Sequence, residues 1–150
     1  MSVVFTPQRM RISVDRYEKM VEAGVLTKYD RVELIEGDMI NEPGINPPHL
    51  TRREDFYFGR RPTAADVLLL IEVSDCSFAY DQSTKRALYA RYGVEEYWVV
   101  DVQGERVFVY SEPAGEGHAR VVECRAADIV SPRAVPAVQI QVGTPFPGGN

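Results

Sequence analysis

Asp66 to Val102 reads DVLLLIEVSDCSFAYDQSTKRALYARYGVEEYWVVDV, and this stretch decides the fold. From Asp66 to Val73 it is apolar except for Asp66 and Glu72, and it is short and bounded by polar residues. That pattern predicts a strand covered on both faces, the central strand of a sheet. Lys85, Leu88, Tyr89 and Tyr92 then recur at spacings of three and four before Gly93, which predicts a helix of about three turns with Asp81 as its N-cap. EYWVVDV at 96–102 and RVFVY at 106–110 flank Gln103-Gly104-Glu105 as a β-hairpin, with 120–124 as a third strand.

Working outward, Ser13 is placed to cap a helix over 14–23 that presents Tyr17, Met20 and Val21 on one face and ends at Gly24. Period-two alternation from Arg31 and the turn residues Glu36, Gly37 and Asp38 predict a short hairpin returning through Met39 and Ile40. Residues 41–65 hold four of the ten prolines and no sustained period, so they read as a long connection, an uncommon thing inside a compact domain. The tail has β-like character at Val138, Ile140 and Val142 and frays after about 143. A length of 150 residues fits a single domain, 1–150, of mixed α and β structure.

The net charge of −5 argues against a broad basic surface that would coat nucleic acid, though a local basic groove is compatible with it. Two cysteines, Cys76 and Cys124, are too few for a disulfide scaffold and lack zinc-site spacing. The longest apolar run, Val67 to Ile71, is far short of the ~20 residues of a membrane span, and no secretory pattern opens the chain. The expectation is a soluble, cytoplasmic protein with no membrane partner.

Glu72 is the unusual residue. A carboxylate near the end of the most apolar segment is expensive to bury unless a cation, a metal or a proton accompanies it. The chain has only three lysines, Lys19, Lys28 and Lys85, and Lys85 sits near the start of the helix that follows, where the helix dipole opposes a cation. A carboxylate or an anionic substrate facing Lys85 explains that placement; a stem reaching to solvent is the plain alternative. Asp66, six residues from Glu72, lies about 20 Å away along a strand and cannot share an ion with it.

These residues carry a resemblance. The block from Asp66 to Val102 closely resembles the signature of the Uma2 family of bacterial endonuclease-like proteins, within the PD-(D/E)xK restriction-endonuclease-like superfamily. RISVDRYEKMVEAGVLTKYDRVELIEGDMI at 11–40, the His49-Leu50 pair after two prolines, REDFY at 53–57 and PAVQI at 136–140 are similar as well. The resemblance implies an α+β restriction-endonuclease-like core, a small mixed sheet flanked by helices, with Mg²⁺ or Mn²⁺ at one sheet edge and DNA as substrate. It implies that Glu72 is the acidic member of the D/E-x-K element and a metal ligand. The lysine position two residues on is Ser74 here, and the migrated lysine is Lys85. Glu33 matches the acidic residue of the N-terminal hairpin and a second metal ligand, and Asp81 matches the aspartate that opens the lysine-bearing helix.

The chain departs from the family where Pro47-Pro48-His49-Leu50-Thr51-Arg52-Arg53 runs straight on, without the segment that carries the family's Pro-Asp pair. This reads as an internal deletion around 50–52 that removes the leading metal ligand. Two readings follow. One is a metal-dependent endonuclease-like enzyme, weakened and holding its ion weakly; the other is a degenerate nuclease fold working as a binding or dimerisation module, with a homodimer shielding what the deletion exposes. Arg52, Arg53, Arg60, Arg61 and Arg86 suit a phosphate backbone, while the acidic total leans mildly to the second reading. His49 and His118 are placed in loops and outside the chemistry. Tyr97, Trp98, Phe108 and Tyr110 fit a core better than a base-stacking platform.

Overall fold

The computed structural model describes residues 10–27, 29, 30, 32–41, 49–51 (backbone alone) and 63–144. The chain divides into two compact units, Met1–Pro43 and Gly44–Asn150.

In the N-terminal unit α1 (Val14–Glu22) opens at Ser13, whose side chain accepts the Arg16 N–H at 3.3 Å. β1 (Val32–Ile35) and β2 (Asp38–Asn41) form an antiparallel hairpin. Its turn residues Glu36 and Gly37 both have positive φ, 49° and 87°, the handedness that matches strand twist in a two-residue hairpin loop. The Tyr17 hydroxyl donates to the Val32 carbonyl at 2.8 Å, and the Ile12 N–H to the Gly37 carbonyl at 2.9 Å, so helix and hairpin are fastened together.

The C-terminal unit is built on a five-stranded mixed sheet in the order β3-β4-β5-β6-β7. These strands are β3 (His49–Thr51), β4 (Val67–Ser74), β5 (Glu96–Asp101), β6 (Arg106–Ala114) and β7 (Gly117–Arg125). β4 and β5 are parallel, joined by a helical crossover, and every other pairing is antiparallel. The predicted strand thus exists one residue later than read, and β5 rather than β4 is the middle of the sheet. Asp66 closes a 3-10 turn (Ala64–Asp66) before β4, its carboxylate accepting the Thr63 N–H and hydroxyl, each at 2.8 Å. The connection read as bare over 41–65 contains β3, which pairs His49 with Leu70 and Leu50 with Leu69. A three-residue strand is too short to show a period.

The crossover runs from α2 (Phe78–Tyr80) through a π-helical turn (Asp81–Lys85) into α3 (Arg86–Arg91). Asp81 therefore does not cap this helix, because the helix begins a turn earlier. On the helix side of the sheet, Tyr97, Val99 and Tyr110 form a buried cluster joined by Leu70, Phe78, Tyr89 and Phe108. On the opposite side Leu69, Trp98, Val107 and Cys124 pack with Val130 and Val142. Val130 belongs to β8 (Ile129–Val130) and Val142 directly follows β9 (Ile140–Gln141), the two strands forming a small antiparallel pair. The tail is held as far as Gly143, whose N–H donates to the Ala126 carbonyl at 3.1 Å. The predicted aromatics are core: Tyr97, Trp98 and Tyr110 are each 2% exposed or less. No helix among the described residues is long and apolar enough to cross a membrane.

Candidate active site

Alternation along β4 turns Leu70, Glu72 and Ser74 toward the crossover helix. The helix runs back along the strand, so two strand residues, about 6.6 Å, are matched by four helical ones, about 6 Å. Ser74 consequently meets Asp81 while Glu72 meets Lys85. An α-helix drifts by about 40° at each step of four residues, and the wider π-turn offsets that drift. It keeps Asp81, Lys85 and Tyr89 on the face that looks at the sheet. π-turns of this kind occur often at functional sites.

The Lys85 ammonium lies 3.1 Å from Glu72 Oε1 and 3.7 Å from Asp81 Oδ1. The Tyr89 hydroxyl donates to the same Glu72 oxygen at 2.9 Å. The other Asp81 oxygen, Oδ2, accepts from the Ser74 hydroxyl through a short hydrogen bond and from the Ser77 hydroxyl at 2.7 Å. Tyr97 completes the shell by donating its hydroxyl to the Asp81 carbonyl at 3.2 Å. Glu72, Ser74, Asp81 and Lys85 are all buried, and the lysine is fully enclosed.

Burial pushes the Glu72 carboxyl above the usual carboxylate range, with the Asp81 charge adding to the rise; the Lys85 ammonium and the Tyr89 hydroxyl oppose it. Burial likewise raises the Tyr97 phenol, helped by the Glu72 and Asp81 charges, so Tyr97 stays protonated and donates. A raised acid binds its proton more tightly folded than unfolded. Its contribution to stability is therefore complete below the ordinary value of 4.5 and is lost as pH rises through the folded value. Denaturant titrations across pH should show wild type losing stability relative to Glu72→Gln over that rise, then a constant difference above it. A pH-independent difference would mean that Glu72 ionises as freely in the fold as outside it.

The structure brings Glu72, Lys85, Asp81 and Ser74 together. Glu33 lies half-buried on β1 in the N-terminal unit, opposite Ile40 in the hairpin. Asp81, read as an N-cap, is instead interior to the helix and a direct neighbour of Lys85. Lys85 is a turn deeper than read, past the dipole's unfavourable end, so its neighbours rather than the dipole account for it. Tyr89, read only as part of an apolar stripe, was missed; a hydroxyl four residues after the lysine was its one signal. His118 is not in a loop: it lies in β7, buried against Tyr97 and Tyr110, with Nε2 3.3 Å from the Val94 carbonyl. Arg86, proposed for phosphate, holds its guanidinium 5.3 Å above the Tyr110 ring. Arg52, Arg53, Arg60 and Arg61 lie outside the described residues.

A family described as "putative restriction endonuclease", Uma2, matches residues 49–143, more than half of the chain. The chain belongs to the Uma2 family. A comparison with curated proteins finds no match. Uma2 membership covers β3 to the end of the β8–β9 pair, so the whole Glu72–Lys85 cluster falls inside the matched region, as does the mixed sheet of the restriction-endonuclease-like fold. The hairpin with Glu33 lies before it.

Proposed function

We propose that this Uma2 protein hydrolyses DNA phosphodiester bonds at the Glu72–Lys85 pair in a divalent-metal-dependent reaction, with weak activity. The observation that carries the reading is the 3.1 Å contact between the one acid of the apolar strand and the lysine of the crossover helix, on one face of the sheet.

The donors suit magnesium of a particular kind. Mg²⁺ keeps several waters and is usually bound by one or two carboxylates together with substrate phosphates. Glu72 supplies such a carboxylate. Among the described residues no three His, Cys, Asp or Glu side chains gather where one ion would take them all. This set fits an ion arriving with the phosphate rather than a resident one. When bound, the ion polarises the phosphate and acidifies a water.

The chain's own residues then have separate tasks. Lys85 provides a fixed positive charge beside the phosphate oxygens where negative charge builds up. Asp81, locked by Ser74 and Ser77, sets the position of the ammonium from behind. Tyr89 fixes the Glu72 carboxylate by its hydrogen bond to Oε1 and lowers the cost of its ionisation. Ser74 takes the place of the usual lysine and serves Asp81 instead of the substrate.

One observation favours a second reading, a degenerate nuclease fold that binds a partner or a second copy without turnover. Lys85 is fully enclosed and its charge is shared by two carboxylates, the arrangement of a structural ion cluster. Calorimetric titration with Mg²⁺ separates the two. Wild type should bind the ion weakly alone and more tightly with a short DNA duplex present, and Glu72→Gln should abolish that gain. The same isotherms in both proteins would remove the metal role of Glu72 and leave the second reading.

A further inference from the structure

The sheet has another feature on its far side. β5, β6 and β7 align Glu96, Ser111 and Arg120 as direct cross-strand neighbours, and the next row on that face is Trp98, Val109 and Val122. Ser131 to Arg133 pass over this face, and the Arg133 N–H donates to Glu96 Oε2 at 2.8 Å. Glu96 Oε1 accepts from Trp98 Nε1, also at 2.8 Å. Both oxygens of this buried carboxylate are thus engaged, and Glu96 pins the passing segment to the sheet. Beneath it lies a cleft of about 270 Å³, floored by Val109, Val122 and Val130.

Two polar side chains stand side by side in the cleft, Ser111 and Arg120. Ser111 is 3% exposed and lines the cleft. Arg120 stands beside it with no carboxylate partner among the described residues. Glu96 is two strands from Arg120, about 10 Å between backbones at the usual strand spacing, and both its oxygens are engaged by Trp98 and Arg133. A buried hydroxyl, a planar cation and an apolar floor within one cleft are the parts of a small-molecule site, a few polar groups set in apolar surroundings.

We propose that this cleft binds a small organic carboxylate. The head group sits on the Arg120 guanidinium and the Ser111 hydroxyl, and the apolar body lies on Val109, Val122 and Val130. The Arg fork matches a carboxylate in its two-point geometry. The nearby Glu96 charge disfavours a dianion such as a phosphate monoester more strongly than a monoanion. The site is independent of the phosphodiester chemistry, because Glu72 and Lys85 lie on the helix side of the sheet.

Benzoate is the probe, with benzamide as its neutral counterpart, followed by amide chemical shifts of the full chain. Benzoate should shift Ser111, Val122 and Ser131 with a dissociation constant of order 1 mM, and benzamide should bind about tenfold more weakly or worse. Arg120→Gln, at an exposed position, should lose about tenfold in affinity, whereas Arg125→Gln on the same strand and Glu72→Gln should lose none. The proposal is overturned if benzoate produces no shifts at these amides, if benzamide binds as well, or if Arg125→Gln loses as much as Arg120→Gln.

Discussion

Lys85→Met should destabilise the protein by about 3–5 kcal/mol, the cost of removing one partner from a buried ion pair. The reason is specific to this cluster. Glu72 and Asp81 both direct an oxygen at the ammonium, at 3.1 and 3.7 Å, and both are buried. Without the cation two like charges remain enclosed, and the carboxyl of Glu72, already raised by burial, is raised further. Methionine keeps most of the volume, so cavity formation contributes little. Adding Glu72→Gln to Lys85→Met should recover part of the loss, because it deletes one uncompensated charge. Urea denaturation of the two single variants and the double variant measures the coupling. If the double variant loses the sum of the single losses, the groups are not coupled and the cluster is misdescribed.

How much of this was legible in the chain follows from which residues signal locally. Glu72 stands out because a charge in a run of Val, Leu and Ile has no local explanation, and the run itself marks the strand. The strands β5 to β7 are visible because alternation and a turn agree. Asp81 misleads because an aspartate ahead of a helical period looks like a cap. The π-turn breaks the period between Phe78 and Lys85, so the helix looks shorter than it is. β3 is concealed by its length and by the prolines before it. His118 looks like a loop residue because it follows Gly115 and Gly117, yet the turn takes only Gly115 and Glu116, and the strand has begun by Gly117. The pairing of Ser74 with Asp81 is a matter of registry between strand and helix, which no single segment contains.

The second large effect concerns activity. Wild-type protein with Mg²⁺ should nick supercoiled DNA, and Glu72→Gln should be slower by at least about a hundredfold, the scale on which one preorganised charge-stabilising group acts. Glutamine keeps the shape and still accepts from the Lys85 ammonium and the Tyr89 hydroxyl, so the fold should persist. What it removes is the negative charge that holds a hard cation. A loss of nicking with the fold intact therefore reports on chemistry rather than stability.

Plasmid nicking by wild type and by Glu72→Gln, with the fold of each verified by circular dichroism, decides whether the strand carboxylate takes part in the reaction. Wild type alone should show magnesium-dependent nicking, abolished by chelation. Equal nicking by the two proteins would contradict it, since the acid of the apolar strand would then have no part in the reaction.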